Sequence, residues 1–177
     1  VSLGAMSTLQ THDEVELAQE LIEIHPWAEQ VRFTRSGGET MAVAVRIARA
    51  STGRDKVALC GYHGWHDWYL AANLGGENLG GHLLPGLDPA GVPAALAGHT
   101  MTFHYNRLDE LDEILTQHSG ELAAIVMEPT RYTDPEPGFL ESVRERCDRH
   151  GIRLIFDEIS VGWRLCPGGA HLKYGVT

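Results

Sequence analysis

The chain has 177 residues, 43% of them hydrophobic and 21% charged, which is the balance of a water-soluble globular domain with its own core. Acidic residues outnumber basic ones, 24 to 14, giving a formal net charge of -10, which argues against a general nucleic-acid binder but not against a local anion site built from backbone amides. No run of 18 apolar residues suggests a membrane span, the first ten residues have no basic, apolar leader pattern, and three scattered cysteines suit a reducing cytoplasm.

The first predicted element runs from Thr11 to Ile24. Thr11 and Glu14 have capping-box spacing, with Asp13 as a competing cap, and Leu17, Leu21 and Ile24 recur on one helical face. His25-Pro26 ends it. A short apolar stretch at Val31-Arg32-Phe33 reads as a strand leading into the turn Ser36-Gly37-Gly38. Glu39 to Ala50 then reads as an alanine-rich helix buried on most sides. Lys56–Cys60 is a predicted strand, and Gly61 to Gly98 a long irregular region rich in glycine, aromatics and histidine. Met101–His104 suggests another strand, followed by a helix capped by Asn106 with Leu108, Leu111, Ile114 and Leu115 inward. Leu122–Met127 is apolar throughout, as in a strand covered on both faces. Gly138–His150 is a helix closed by Gly151, and Ile152–Phe156 a last strand ending in Asp157-Glu158. Helices and short apolar strands alternate, which predicts an α/β fold: a three-layer sandwich around a mostly parallel sheet, with ligands at the carboxyl ends of the strands.

Three strand ends carry unusual residues. Ser36-Gly37-Gly38-Glu39-Thr40 opens a helix, and such an amino terminus is either a phosphate seat or an ordinary tight turn. Gly61-Tyr62-His63-Gly64-Trp65-His66-Asp67 offers rings that stack on a flat ligand or simply pack on one another. Cys60, His63 and His66 also have zinc-like spacing, but no second cluster of ligands supports it, so no metal is expected. Asp157 closes a buried strand and needs a partner: a helix cap, a metal or a protonated ring nitrogen.

Taken in order, SGGET, YHGWHD, Glu128-Pro129 and IFDEISVGWR closely resemble the class III aminotransferases, nearest the branch of glutamate-1-semialdehyde aminomutases, over residues 11 to 177. The resemblance implies part of the large domain of an enzyme dependent on pyridoxal 5'-phosphate (PLP). It assigns Asp157 to the pyridine nitrogen, where it favours electron withdrawal from the substrate. Ile159, where the family usually has valine, is assigned to one ring face and Tyr62 to the other. His63 lines the site, and Ser36, Gly37 and Gly38 face the phosphate. Gly38 stands where the family often has a hydroxyl residue or alanine, and Ser160 where some members have glutamine. Glu128 is a substrate-site carboxylate or a strand-end residue; Arg164 meets a substrate carboxylate or the surface. The implied partners are a small amino/keto or amino-aldehyde substrate and a second subunit in a homodimer, with no nucleic acid and no membrane.

Such enzymes hold PLP through a lysine. Lys56 and Lys173 are the two lysines here, one starting a strand and one in a loop-like segment, and neither matches the family's position. The sequence therefore reads as part of a longer enzyme, without the N-terminal segment, the catalytic-lysine region and the C-terminal small domain. The alternatives are a non-catalytic domain that binds PLP or a phosphorylated ligand, and a metal hydrolase using Cys60, His63 and His66.

Overall fold

The computed structural model describes residues 11–82 and 87–177. They form a short unit, which reaches Phe33 and includes Thr177, and a larger unit, Thr34–Val176. The short unit contains α1 (His12–Ile24), whose Thr11 cap completes the predicted box: Thr11 Oγ1 accepts from the Glu14 amide, and the Glu14 carboxylate accepts from the Thr11 amide. Residues 31–33 are not a strand. Three residues with an arginine in the middle make an apolar pattern too short to fix a ladder.

The larger unit contains α2 (Gly37–Thr52), β1 (Lys56–Cys60), α3 (Asp67–Leu70), β2 (Thr100–Thr102), α4 (Leu108–His118), β3 (Leu122–Met127), α5 (Phe139–His150), β4 (Arg153–Phe156) and α6 (Ala170–Tyr174). The four strands are all parallel, in the order β2-β1-β3-β4. Alternation along the strands separates two cores. Ala58, Cys60, Ile125 and Met127 face α4 and α5, against Leu111, Leu115, Phe139 and Val143. Val57, Leu59, Ala124 and Val126 face α2 and α3, against Met41, Val45 and Trp68. The result is the expected α/β three-layer sandwich, and every residue of β3 is buried because both of its faces are covered.

Several local expectations are corrected. The second helix starts at Gly37, two residues before the expected Glu39, because Ser36 makes the cap. Its burial is confined to Met41, Val45 and Ala48, while Ile47 is exposed. The strand at 101–104 is Thr100–Thr102. Asn106 does not cap α4; Arg107 holds that position, and Asn106 sits at φ 63° with its side-chain oxygen accepting from the Glu136 amide. Asparagine tolerates the left-handed region, and a turn here needs it more than the helix needs a cap. Lys173 lies in the short helix α6, not in a loop.

At the amino ends of the strands Arg54 ties together two turns, the one between α4 and β3 and the one between α5 and β4. Its Nη1 lies 2.9–3.4 Å from the carbonyls of Ser119, Leu122, His150 and Gly151, which share its two hydrogens. Arg54→Ala leaves these partly buried carbonyls without a cationic donor and is expected to lower the unfolding free energy by about 2 kcal/mol. The midpoint of urea unfolding measures this; an unchanged midpoint would show that water replaces the guanidinium freely.

Candidate functional site

The carboxyl ends of the strands bring distant residues together. The ladder continues one step past β4, where the Asp157 amide donates to the Met127 carbonyl at 2.8 Å. This fixes Asp157 at the strand end with 5% of its surface exposed. One carboxylate oxygen accepts from the Ile159 amide at 3.1 Å, and the other lies 2.8 Å from His63 Nδ1. His63 is 2% exposed, and its Nε2 is 3.0 Å from the Cys60 carbonyl. A carbonyl only accepts, so Nε2 carries a hydrogen. The short Nδ1 contact holds one hydrogen between the ring and the carboxyl group.

Ser36 opens α2 across from this pair. Its Oγ accepts from the Glu39 amide and its carbonyl from the Thr40 amide. The first-turn amides of Gly37 and Gly38 have no partner within the helix and point out of its start. A Cβ at Gly37 would fall 2.6 Å from Ile159 Cδ1, so Ile159 lies directly over this turn. A Cβ at Gly38 would fall 2.8 Å from His66 Cε1 and 2.9 Å from His66 Nδ1. Asp157, His63, Ile159, Ser36, Gly37 and Gly38 thus share one end of the sheet. Tyr62 is half-buried in the core beside α2, edge-on to Tyr69 with ring centres 5.8 Å apart. Arg164 turns back on its own loop, with Nη1 3.4 Å from the Ile159 carbonyl and 3.3 Å from that of Gly162.

The spacing that suggested zinc does not become a ligand set. Both ring nitrogens of His63 are engaged, and burial first, then the Glu128 charge, pushes the Cys60 thiol up to about 12. Among the described residues no three His, Cys, Asp or Glu side chains gather as metal ligands.

Glu128, at the end of β3, belongs to a second feature. It lines a cavity of about 210 Å3 with Cys60, His82, His104, Tyr105 and Arg131, and none of Asp157, His63, Gly37 or Gly38 lines it. Arg131 Nη1 donates to both oxygens of Glu128, at 2.9 and 2.8 Å. The sequence reading missed Arg131; the only available signal was a cation three residues after a strand-end carboxylate. His82 was also missed. Its Nδ1 accepts from the Gly61 amide at 3.3 Å, and its ring stacks on His104 with centres 5.0 Å apart. Burial, then His104 and His63, push its pKa down from 6.5 to about 4. The folded protein thus binds this proton less readily than the unfolded chain, so the contribution of neutral His82 is complete above about 6.5 and is lost as the pH falls towards about 4. A plot of melting temperature against pH is expected to slope less over that window in His82→Gln; parallel plots would refute the assignment.

The family model for class III aminotransferases matches residues 1–176. A glutamate-1-semialdehyde 2,1-aminomutase from Roseiflexus castenholzii is 45% identical over 99% of this chain and 40% of its own length. Among solved structures, an omega-transaminase from Sphaerobacter thermophilus is 33% identical with a TM-score of 0.81, over 98% of this chain and 41% of that one. A transaminase solved with PLP bound is 31% identical with a TM-score of 0.84, over the same shares. The chain spans about two fifths of the length of these relatives.

Proposed function

The chain belongs to the class III aminotransferase family, and we propose that the protein carrying it moves an amino group on a small substrate with PLP, as a transferase or an aminomutase, these residues being the cofactor-holding part of the large domain. The observation that carries this reading is the buried Asp157–His63 pair facing the same sheet end as the open amides of Gly37 and Gly38. The distribution of polarity fits PLP. A carboxylate suits a protonated ring nitrogen, an open helix start suits a phosphate, and the apolar Ile159 suits the ring between them.

When bound, PLP supplies an electron sink for a carbanion next to the substrate nitrogen. The chain's own residues orient that chemistry. Asp157 would hold the ring nitrogen, and His63, braced by the Cys60 carbonyl, keeps the carboxylate from turning. Gly37 and Gly38 give close backbone approach where a side chain would collide. Ile159, which lies over the Gly37 turn, would cover one face of the ring, and the family resemblance assigns Tyr62 to the other. Neither lysine reaches this site: Lys56 pairs with Glu121 at 2.8 Å at the opposite end of β1, and Lys173 is exposed on α6. On this reading the lysine that holds PLP covalently comes from sequence outside these residues, as does the small domain. The exposed rings of Trp65, Tyr132 and Trp163 support a homodimer, as surface for a second subunit or further chain to cover.

The test is spectroscopic. Addition of PLP to the protein expressed from its whole gene is expected to give a saturable visible band that an amino donor bleaches. A spectrum identical to free PLP would overturn the proposal.

A further inference from the structure

The chain leaves the sheet at Asp157, whose amide makes the last ladder bond, and Ile159 must then stay over the Gly37 turn without the sheet's help. Ile159 cannot hold itself there: it is 53% exposed and belongs to neither core. Its amide is fixed by Asp157 Oδ1. The chain that follows it is fixed by Glu158. The Glu158 carbonyl accepts from the amides of Val161 and Gly162 at 3.1 and 2.6 Å, which turns the backbone directly after Ile159. The Glu158 carboxylate reaches the far end of the same segment. Its Oε2 accepts from the Ala170 amide at 2.7 Å, and its Oε1 from the His171 amide at 2.7 Å. Oε1 also lies 2.8 Å from His171 Nδ1, which donates to it. Residues 159–169 are thus a loop with both ends fastened to one residue. Two glycines make room for this. A Cβ at Gly162 would fall 2.8 Å from the Glu158 carbonyl oxygen, and one at Gly169, which sits at φ 144°, would collide with Glu158 Oε2. Three donors on one carboxylate make a stiff tether, because hydrogen bonds to a charged acceptor are about twice as strong as neutral ones.

We infer that Glu158 is a positioning residue for the cofactor ring, acting through Ile159: by fastening both ends of the 159–169 segment to the end of β4 it keeps the Ile159 side chain on the ring face. The inference rests on the PLP reading and adds to it the residue that holds the ring's cover in place. Adjacent carboxylates then divide the work, Asp157 facing the ring nitrogen and Glu158 turning the other way to hold the loop.

The experiment uses the protein expressed from its whole gene and two readouts: calorimetric affinity for pyridoxamine 5'-phosphate, and the visible circular dichroism of bound PLP, which reports how firmly the ring is held. Glu158→Gln keeps the side chain's shape, but its NH2 group must face the Ala170 amide or the two His171 donors, so the tether fails. It is expected to weaken pyridoxamine 5'-phosphate roughly tenfold, the low end for a lost apolar contact in a pocket, and to cut the dichroism per bound cofactor by about half or more. Ile159→Ala is expected to weaken binding by a similar factor. In the Ile159→Ala background Glu158→Gln is expected to cost nothing further, because the side chain it positions is gone. A merely structural loosening would add to the first loss, so additive losses would overturn the inference, as would unchanged affinity and dichroism in either single variant. If Glu158→Gln does not fold, His171→Ala, which removes one donor and keeps both amides, is read in the same cycle with a smaller loss expected. An unmodified protein with no visible dichroism in the presence of PLP would sink the PLP reading itself.

Discussion

On the proposed function, Asp157→Ala is expected to reduce amino-group transfer at least a hundredfold, the typical loss when one preorganised charge is removed from a reacting centre. The cause is local. Among the described residues Asp157 is the only acidic side chain hydrogen-bonded to His63, and its backbone is fixed by the Met127 carbonyl. Alanine also leaves His63 Nδ1 without a partner, so part of the effect is a loss of stability. Asp157→Asn separates the two. Its amide can donate to Nδ1 while His63 Nε2 still donates to the Cys60 carbonyl, so folding is retained and only the charge is lost. The Asn variant is expected to melt near the unmodified protein and still lose most of the rate. Single-turnover kinetics with a saturating amino donor measure this directly. An Asn variant within a few-fold of normal would show that the carboxylate is not opposite the ring nitrogen.

The elements that were legible in the sequence share one property: their signal is local. β3 is six apolar residues between turn residues, and α5 has its apolar face and its closing glycine within thirteen positions, so both were read almost to the residue. Two of the three motifs were legible for the same reason, since the rings after β1 and the carboxylate after β4 stand beside the strands that carry them, whereas Ser36-Gly37-Gly38 follows no strand and was marked by its serine and glycines alone. Pairings were not legible. His63 and Asp157 are 94 residues apart, and nothing in either motif names the other. His66 was readable only as a possible metal ligand, because the vacancy it fills belongs to Gly38, in another element. Asn106 was misread because the same residue type favours helix caps and left-handed turns, and the choice depended on Glu136, thirty positions away.

Arg131→Met is expected to lower the unfolding free energy by about 3 kcal/mol, the lower end of the range for stranding a buried charge. Glu128 is the buried member of the pair: its side chain is 8% exposed, against 26% for Arg131. It is packed against Gly61, whose Cβ position is 2.9 Å from Glu128 Oε2, and so it cannot rotate towards solvent through that side. Methionine keeps most of the arginine's volume and removes the Nη1 that donates to both oxygens, so the carboxylate is left without its cationic partner. The reverse change, Glu128→Gln, should be milder. Arg131 is the more exposed partner and can turn to water, and glutamine keeps an oxygen to accept from it. The double substitution is expected to be more stable than Arg131→Met alone, since it removes the stranded charge along with its partner. Urea midpoints for the four proteins give the coupling. Equal, small losses for both single variants would mean that the cavity beside Glu128 brings water to its carboxylate, and the pair would then be a solvated contact at the rim of the cavity.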